Sequence, residues 1–260
     1  MSRRPRLLIA LALTGLLALA TLAQAEIAQK GHVRVTISGE LSPKRLPRSG
    51  QAPIAVSVGG QISTTDKSPP PRLQSLEIEL NKAGKINYAG LPLCPYGAIT
   101  TASSERALSA CRPALVGRGS FDAEITLAGQ DPYPIEGKLL AFNGKRKGKP
   151  VLFGQIYSPR PFATSFVIVF AIERGGQGDY GTRLSATLPT ALGSWGKLTG
   201  IELALSRRYT YRGQRYSYLS AGCPAPKGFG KVPFPFARTS FGFEGGLTLS
   251  STLVRECRAG

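Results

Sequence analysis

The chain has 260 residues, with 33 Lys+Arg against 15 Asp+Glu, one His, four Cys, 31 Gly and 20 Pro. Gly and Pro fill about a fifth of the positions, against roughly 12% in an average chain, and both break helix interiors, which excludes a helical bundle. A hydrophobic content of 42% with 18% charged residues can bury a core, which excludes wholesale disorder, and a single histidine, His32, excludes zinc sites built on His clusters.

Residues 1–25 read as a secretory signal peptide. Arg3, Arg4 and Arg6 form a positive start, an apolar stretch runs from Leu7 to Leu22, and Ala23-Gln24-Ala25 supplies the small-x-small cleavage pattern. The apolar run of 16 residues falls short of the roughly 20 that span a bilayer. Pro5-Arg6 fits a twin-arginine signal poorly, so the general secretory route is expected. No Cys stands at the cleavage point, which argues against a lipid anchor. Cleavage would leave residues 26–260 as one secreted domain without a membrane span, free in the extracellular space or associated with the cell envelope.

Losing the signal removes three arginines and no acid, lowering the formal net charge from +18 to +15. A field of that size draws in anionic surfaces and polymers. The partner expected outside a cell is an acidic extracellular polymer or a cell-wall component. Export makes nucleic acid an unphysiological partner. The plainer reading is charge spread over the surface for solubility.

Past residue 30, apolar residues recur at every second position. Val33, Val35 and Ile37 alternate with Arg34, Thr36 and Ser38. Ile54, Val56 and Val58 follow, then Leu76, Ile78 and Leu80 against Glu77 and Glu79. A short helix is expected over 103–111, capped by Ser103 or Ser104 with Glu105 in its first turn. Phe121, Ala123, Ile125 and Leu127 resume the alternation. Asn143-Gly144 and the lysine-rich Lys145–Lys149 predict a hairpin turn between Lys138–Phe142 and Val151–Tyr157. Phe166–Ile172 is apolar on both faces and predicts a central strand, and Gly175–Gly178 turns it toward Leu184, Ala186 and Leu188. Ile201, Leu203 and Leu205 come next, then a hairpin turning at Arg212-Gly213-Gln214, and finally Leu247, Leu249 and Leu253. Period two with one apolar face marks half-buried antiparallel strands. The fold expected is all-β: a two-sheet antiparallel sandwich of jelly-roll type with one short helix.

Four cysteines in an exported chain predict two disulfides. Three pairings exist, and the spacing favours Cys94–Cys111 and Cys223–Cys257, because each pair falls within one local stretch.

Ser217–Phe229, with Gly222-Cys223-Pro224-Ala225-Pro226 at its centre, is followed by Phe234-Pro235 and Ala237-Arg238. With Leu139–Gly144 and Tyr180-Gly181-Thr182, this pattern resembles a family of exported actinobacterial all-β proteins, and the likeness spans most of the mature chain. The resemblance implies export and an all-β fold and supplies no activity.

The motifs of known chemistries fail on inspection. Gly176-Gln177-Gly178-Asp179-Tyr180-Gly181 matches G-x-G-x-x-G, but a strand pattern follows where a dinucleotide site needs a helix. Leu192-Gly193-Ser194-Trp195-Gly196 lacks the first glycine of a nucleophile elbow, and no His is placed to activate Ser194. Glycoside hydrolysis needs two carboxylates about 5–10 Å apart; Glu77 and Glu79 share a strand face, which a solvated strand also explains. Gln155-Ile156-Tyr157 resembles the Gln-x-His element of jelly-roll polysaccharide lyases but has Tyr157 where the His is needed.

The distinctive segment is Arg207–Tyr218, with four arginines and four tyrosines in twelve residues. Arg207, Arg208, Arg212 and Arg215 offer planar bidentate recognition of carboxylate or phosphate. Tyr209, Tyr211, Tyr216 and Tyr218 offer rings with polar tips. Alternation places Arg207, Tyr209 and Tyr211 on one face and Arg208 and Thr210 on the other. The plainer reading packs the tyrosines along the sheet and leaves the arginines solvated. The functional expectation is a non-enzymatic, disulfide-stapled exported protein that binds an acidic polymer, with no cofactor, no metal and no catalytic residues. The alternative is a carbohydrate-active enzyme, a polysaccharide lyase or glycoside hydrolase on a jelly-roll scaffold.

Overall fold

The computed structural model describes residues 25–126, 129–176, 178–190 and 196–260. The signal segment before residue 25, Leu127 and Ser194 therefore lie outside the described residues. In chain order the strands begin with β1 (Glu26–Lys30), β2 (Val33–Ser42), β3 (Arg45–Leu46), β4 (Ala52–Pro53), β5 (Ala55–Thr64), β6 (Leu73–Asn81) and β7 (Gly84–Ile86). After helix α1 (Ser104–Cys111) come β8 (Leu115–Ile125), β9 (Tyr133–Arg146), β10 (Lys149–Ser158), β11 (Thr164–Arg174), β12 (Tyr180–Thr187) and β13 (Gly196–Leu205). The series ends with β14 (Arg208–Tyr211), β15 (Gln214–Ser217), β16 (Leu219–Ala221), β17 (Lys231–Phe243) and β18 (Thr248–Ala259).

The chain is all-β with one short α-helix among the described residues. The expected two-sheet sandwich is not what forms. Thirteen strands make one continuous sheet in the order β1-β2-β5-β13-β8-β9-β10-β11-β12-β6-β17-β18-β3, strongly curled into a half-barrel. The curl brings β1 beside β18, although the two share no strand pairing. Glu26 accepts hydrogen bonds from the Val254 amide at 3.2 Å and from the Arg255 guanidinium at 3.1 Å, and Arg255 also donates to the carbonyl of Gly39 on β2. Alternation reports only that one face of each strand is buried. A sheet rolled onto itself satisfies that as well as two stacked sheets do. A small sheet, β4-β16-β7, packs into the concave side, where Ile86, Leu219 and Ala221 join the same core as Val35, Phe241 and Leu253.

The alternation holds strand by strand. Along β2, Val33, Val35, Ile37, Gly39 and Leu41 are buried while the residues between them are not. β9 and β10 depart from it: Leu139–Gly144 and Val151–Ile156 are buried on both faces. Their outer face is covered by the segment 91–114, whose Ile99, Ala107 and Cys111 pack on Leu140, Phe142 and Phe153. The helix within that segment starts as its sequence predicts, with Ser103 outside the first turn accepting a hydrogen bond from the Arg106 amide at 3.3 Å. Where β8 crosses β13, Gly119 admits no side chain, because a Cβ there would lie 1.7 Å from the Glu202 carbonyl oxygen.

One turn is tighter than expected, using only the last part of the Asn143–Lys149 stretch. β9 runs on to Arg146, and the reversal falls at Lys147-Gly148, with φ of 48° and 79°. Asn143 is a fully buried strand residue, and its side-chain amide donates to the Pro92 carbonyl at 3.1 Å. The strand pairing is nonetheless the expected one, with Phe142 opposite Phe153.

Candidate functional site

β14 and β15 form the predicted hairpin, with Tyr209 opposite Tyr216 and Thr210 opposite Arg215. Its turn residues, Arg212 and Gly213, both take positive φ (51° and 75°), the conformation that matches the twist of a two-residue hairpin. The face carrying Tyr209, Tyr211 and Tyr216 is built of rings in contact. Tyr209 and Tyr216 stack at 5.7 Å between centroids, and Tyr211 meets Tyr216 at 6.4 Å.

This aromatic face is seated on the loop that follows β7. The Tyr209 hydroxyl donates toward the carbonyls of Asn87 at 3.1 Å and Ala89 at 2.9 Å, and its burial, with Tyr216 beside it, raises the phenol's pKa. The Tyr211 ring lies over Gly90, where a Cβ would come within 2.3 Å of it. The arginines are on the other side or at the tip. Arg208 and Arg215 are exposed, and the Arg212 guanidinium lies 5.2 Å from the Tyr211 ring centroid. Arg207 sits at the base and donates to the Pro113 carbonyl at 3.4 Å, tying the hairpin to the segment that covers β9 and β10. Among the described residues, none of the four arginines pairs with a carboxylate. The fourth tyrosine, Tyr218, is not on the hairpin surface. The chain leaves β15 at Ser217 and enters the core as β16, and Tyr218 is 1% exposed.

The cysteines pair as the spacing favours. Cys94 is joined to Cys111 and Cys223 to Cys257. The first bridge staples the covering segment around α1, and the second ties the stretch after β16 to the end of β18.

The remaining motifs resolve into structure. Gln155 is fully buried, and its amide nitrogen donates to the Ala102 carbonyl at 2.8 Å and the Ser165 hydroxyl at 3.2 Å, bracing the segment before α1. Gly181 lies in β12, so no helix follows the glycine-rich stretch. Glu79 is bound by Arg238, and Glu77 lies 3.9 Å from Arg183, which also holds Glu173 at 3.1 Å. Both acids lie on the sheet face opposite Leu76, Ile78 and Leu80, which point into the concave side.

That concave side contains a feature with no local signature in the sequence. A cavity of about 190 Å³ lies between β2, β5 and β13 on one wall and β6, β12 and β17 on the other. Its lining is mostly aliphatic and aromatic, with Ile37, Val56, Leu203, Leu76, Leu184 and Phe241 among it. The Asn81 and Ser220 side chains at its edge are hydrogen-bonded. Tyr218 also lines it, and the Tyr218 hydroxyl is buried with no hydrogen-bond partner. Burial drives its pKa strongly upward. Compared with known proteins, the chain matches no family model, no curated protein and no solved structure.

Proposed function

We propose that the mature protein is an exported, non-enzymatic binding protein that captures an acidic polymer through the arginine face of the β14–β15 hairpin. The observation that carries this reading is the absence, among the described residues, of any carboxylate partner for Arg208, Arg212 and Arg215, together with their exposure. The stacked tyrosines behind them hold the backbone that presents the guanidinium groups, so little order remains to be gained on binding. Arginine suits the task, because its planar fork matches carboxylate and phosphate in two hydrogen bonds. Two disulfides support export. The enzyme alternative gains no support, since Glu77 and Glu79 are engaged by arginines on the outer face and the concave face is apolar.

The test is retention of the 26–260 protein on acidic and neutral glycans, wall fragments and anionic vesicles, across a salt series. The variant Arg208→Gln/Arg212→Gln/Arg215→Gln is compared with Lys145→Gln/Lys147→Gln/Lys149→Gln, which removes the same charge from another exposed turn. The hairpin variant is expected to lose most of its retention on one acidic polymer while the lysine variant keeps it. Equal losses, vanishing with salt, would reduce the interaction to a diffuse field.

A further inference from the structure

At the end of the sheet where β17, β18 and β3 meet, cations and an exposed aromatic ring share one corner. Lys231 of β17 lies opposite Arg258 of β18, and Arg258 lies opposite Arg45 of β3. Three cations therefore stand in a row on neighbouring strands, where like charges directly opposite repel. The chain around this row folds back onto it. The Arg258 amide donates to the Lys44 carbonyl at 2.8 Å, and the Ala259 amide to the Gly230 carbonyl at 2.9 Å. Arg48 donates to the carbonyls of Ala225 at 3.1 Å, Pro226 at 2.7 Å and Phe229 at 2.6 Å. The Phe229 amide closes a turn on the Pro226 carbonyl at 3.1 Å, and the Cys223–Cys257 disulfide ties the loop to β18. The braced loop nonetheless leaves the Phe229 ring 62% exposed, the most exposed large apolar side chain among the described residues. Lys44, Arg45, Arg48, Lys227, Lys231 and Arg258 are all exposed. Among the described residues, Glu256 on Lys231 is the only carboxylate paired with any of them.

We propose that this corner docks on the surface of an anionic lipid bilayer, with Phe229 entering the boundary between headgroups and acyl chains and the cations resting on the lipid phosphates. Its two features call for one partner. The repelling row of Lys231, Arg258 and Arg45 is relieved by a sheet of negative charge. An exposed ring on a rigid loop gains only where an apolar layer lies just beneath that charge, which a dissolved polyanion lacks. Lysine and arginine have apolar stems that can lie alongside the ring while their charged ends stay at headgroup level. The corner shares no residue with the β14–β15 hairpin, so the proposal stands apart from polymer capture.

The experiment sediments the 26–260 protein with vesicles of mixed phosphatidylglycerol and phosphatidylcholine and with vesicles of phosphatidylcholine alone, and measures retention on immobilised polyphosphate. The wild-type protein binds the anionic vesicles and not the neutral ones. Phe229→Ser binds the anionic vesicles about tenfold more weakly, since one partly buried ring is lost, and polyphosphate as before. Arg45→Gln/Arg258→Gln weakens vesicle binding about fivefold for each charge removed, more than Lys145→Gln/Lys149→Gln does. Neither corner variant lowers Tm, because Phe229 is exposed and the arginine changes relieve repulsion. The Phe229→Ser effect persists in a protein that also carries Arg208→Gln/Arg212→Gln/Arg215→Gln, which separates this proposal from the hairpin's role. Two results would overturn it. One is Phe229→Ser binding the anionic vesicles as tightly as the wild type, which would assign the corner to a dissolved polyanion. The other is equal losses for the arginine pair and the lysine pair.

Discussion

The contact between Glu26 and Arg255 joins the two ends of the curled sheet, and its strength can be worked from the structure. Glu26 accepts from the Val254 amide and from the guanidinium of Arg255, and their side chains are 23% and 13% exposed. Exposed ion pairs contribute about 0–1 kcal/mol. Removing one partner of a fully buried pair costs about 3–5 kcal/mol, because a charge is stranded. This pair lies closer to the second limit. In Glu26→Ala, however, Arg255 keeps the carbonyls of Gly39 and Val254, which softens the loss. The expected cost is therefore about 2 kcal/mol. At about 2–4 °C per kcal/mol for a domain of this size, that corresponds to a fall in Tm of about 4–8 °C.

The assay is urea unfolding of the 26–260 protein as a double-mutant cycle with Glu26→Ala, Arg255→Met and the double variant. Each single change should cost nearly as much as both together, giving a coupling of about 2 kcal/mol. Because the pair is largely shielded, the coupling should persist in salt. A coupling under about 0.5 kcal/mol, the size of ordinary non-additivity, would refute the argument. The ends of the sheet would then be held by apolar packing alone.

Two further changes test the core and the staples. Removing Cys94–Cys111 should cost about 3 kcal/mol and removing Cys223–Cys257 about 4 kcal/mol from loop-closure entropy, given separations of 17 and 34 residues. Urea melts of the paired Cys→Ala variants check both, and a cost under about 1 kcal/mol for either would contradict a role in stability. The Tyr218→Phe protein should be about 1 kcal/mol more stable than wild type at neutral pH, since the orphan hydroxyl is gone. Because folding raises the Tyr218 pKa, the wild-type contribution is fully present below the ordinary phenol value of about 10 and is lost as pH rises above it, when only the unfolded chain ionises. Stability measured from pH 8 to 11 should therefore fall less steeply in Tyr218→Phe, and identical slopes would show that the phenol already ionises in the folded protein.

Much of the fold was legible because strand burial is a local property. Val33, Val35 and Ile37 announce one buried face whatever their partners, and Ser103 with Glu105 announces a helix start. The disulfide pairs followed from proximity in the chain. The roll of the sheet could not be read that way, since it depends on Glu26 meeting Val254 across 228 positions. Asn143 misled for a related reason. Asn-Gly is a strong turn signal, yet the covering segment supplies buried carbonyls at Leu91 and Pro92 for its amide, so the strand continues and the turn shrinks to Lys147-Gly148. At the hairpin, alternation placed Tyr209 and Arg208 on opposite faces, as the structure has them. It could not reveal that the tyrosines rest on residues 87–90. Tyr218 fell outside the pattern because the chain changes sheet one residue before it. The cavity was invisible, because its wall is assembled from strands distant in sequence.

The strand order has a consequence for how the molecule is assembled in time. β8 through β12 lie side by side in the order in which they are made, so this central stretch can pair hairpin by hairpin with short loops to close. The first strands cannot join it that way. β5 reaches β8 only through β13, so the β1-β2-β5 group cannot join the central stretch until residues 196–205 exist, and β6 waits for β12 at residues 180–187. Non-local pairing of this kind is slow to nucleate and leaves strand edges open meanwhile. Cys94–Cys111 sits on the part that can form early, and Cys223–Cys257 on the part that must form last. The second bridge therefore records completion of the sheet, whereas the first can close while much of it is still unpaired.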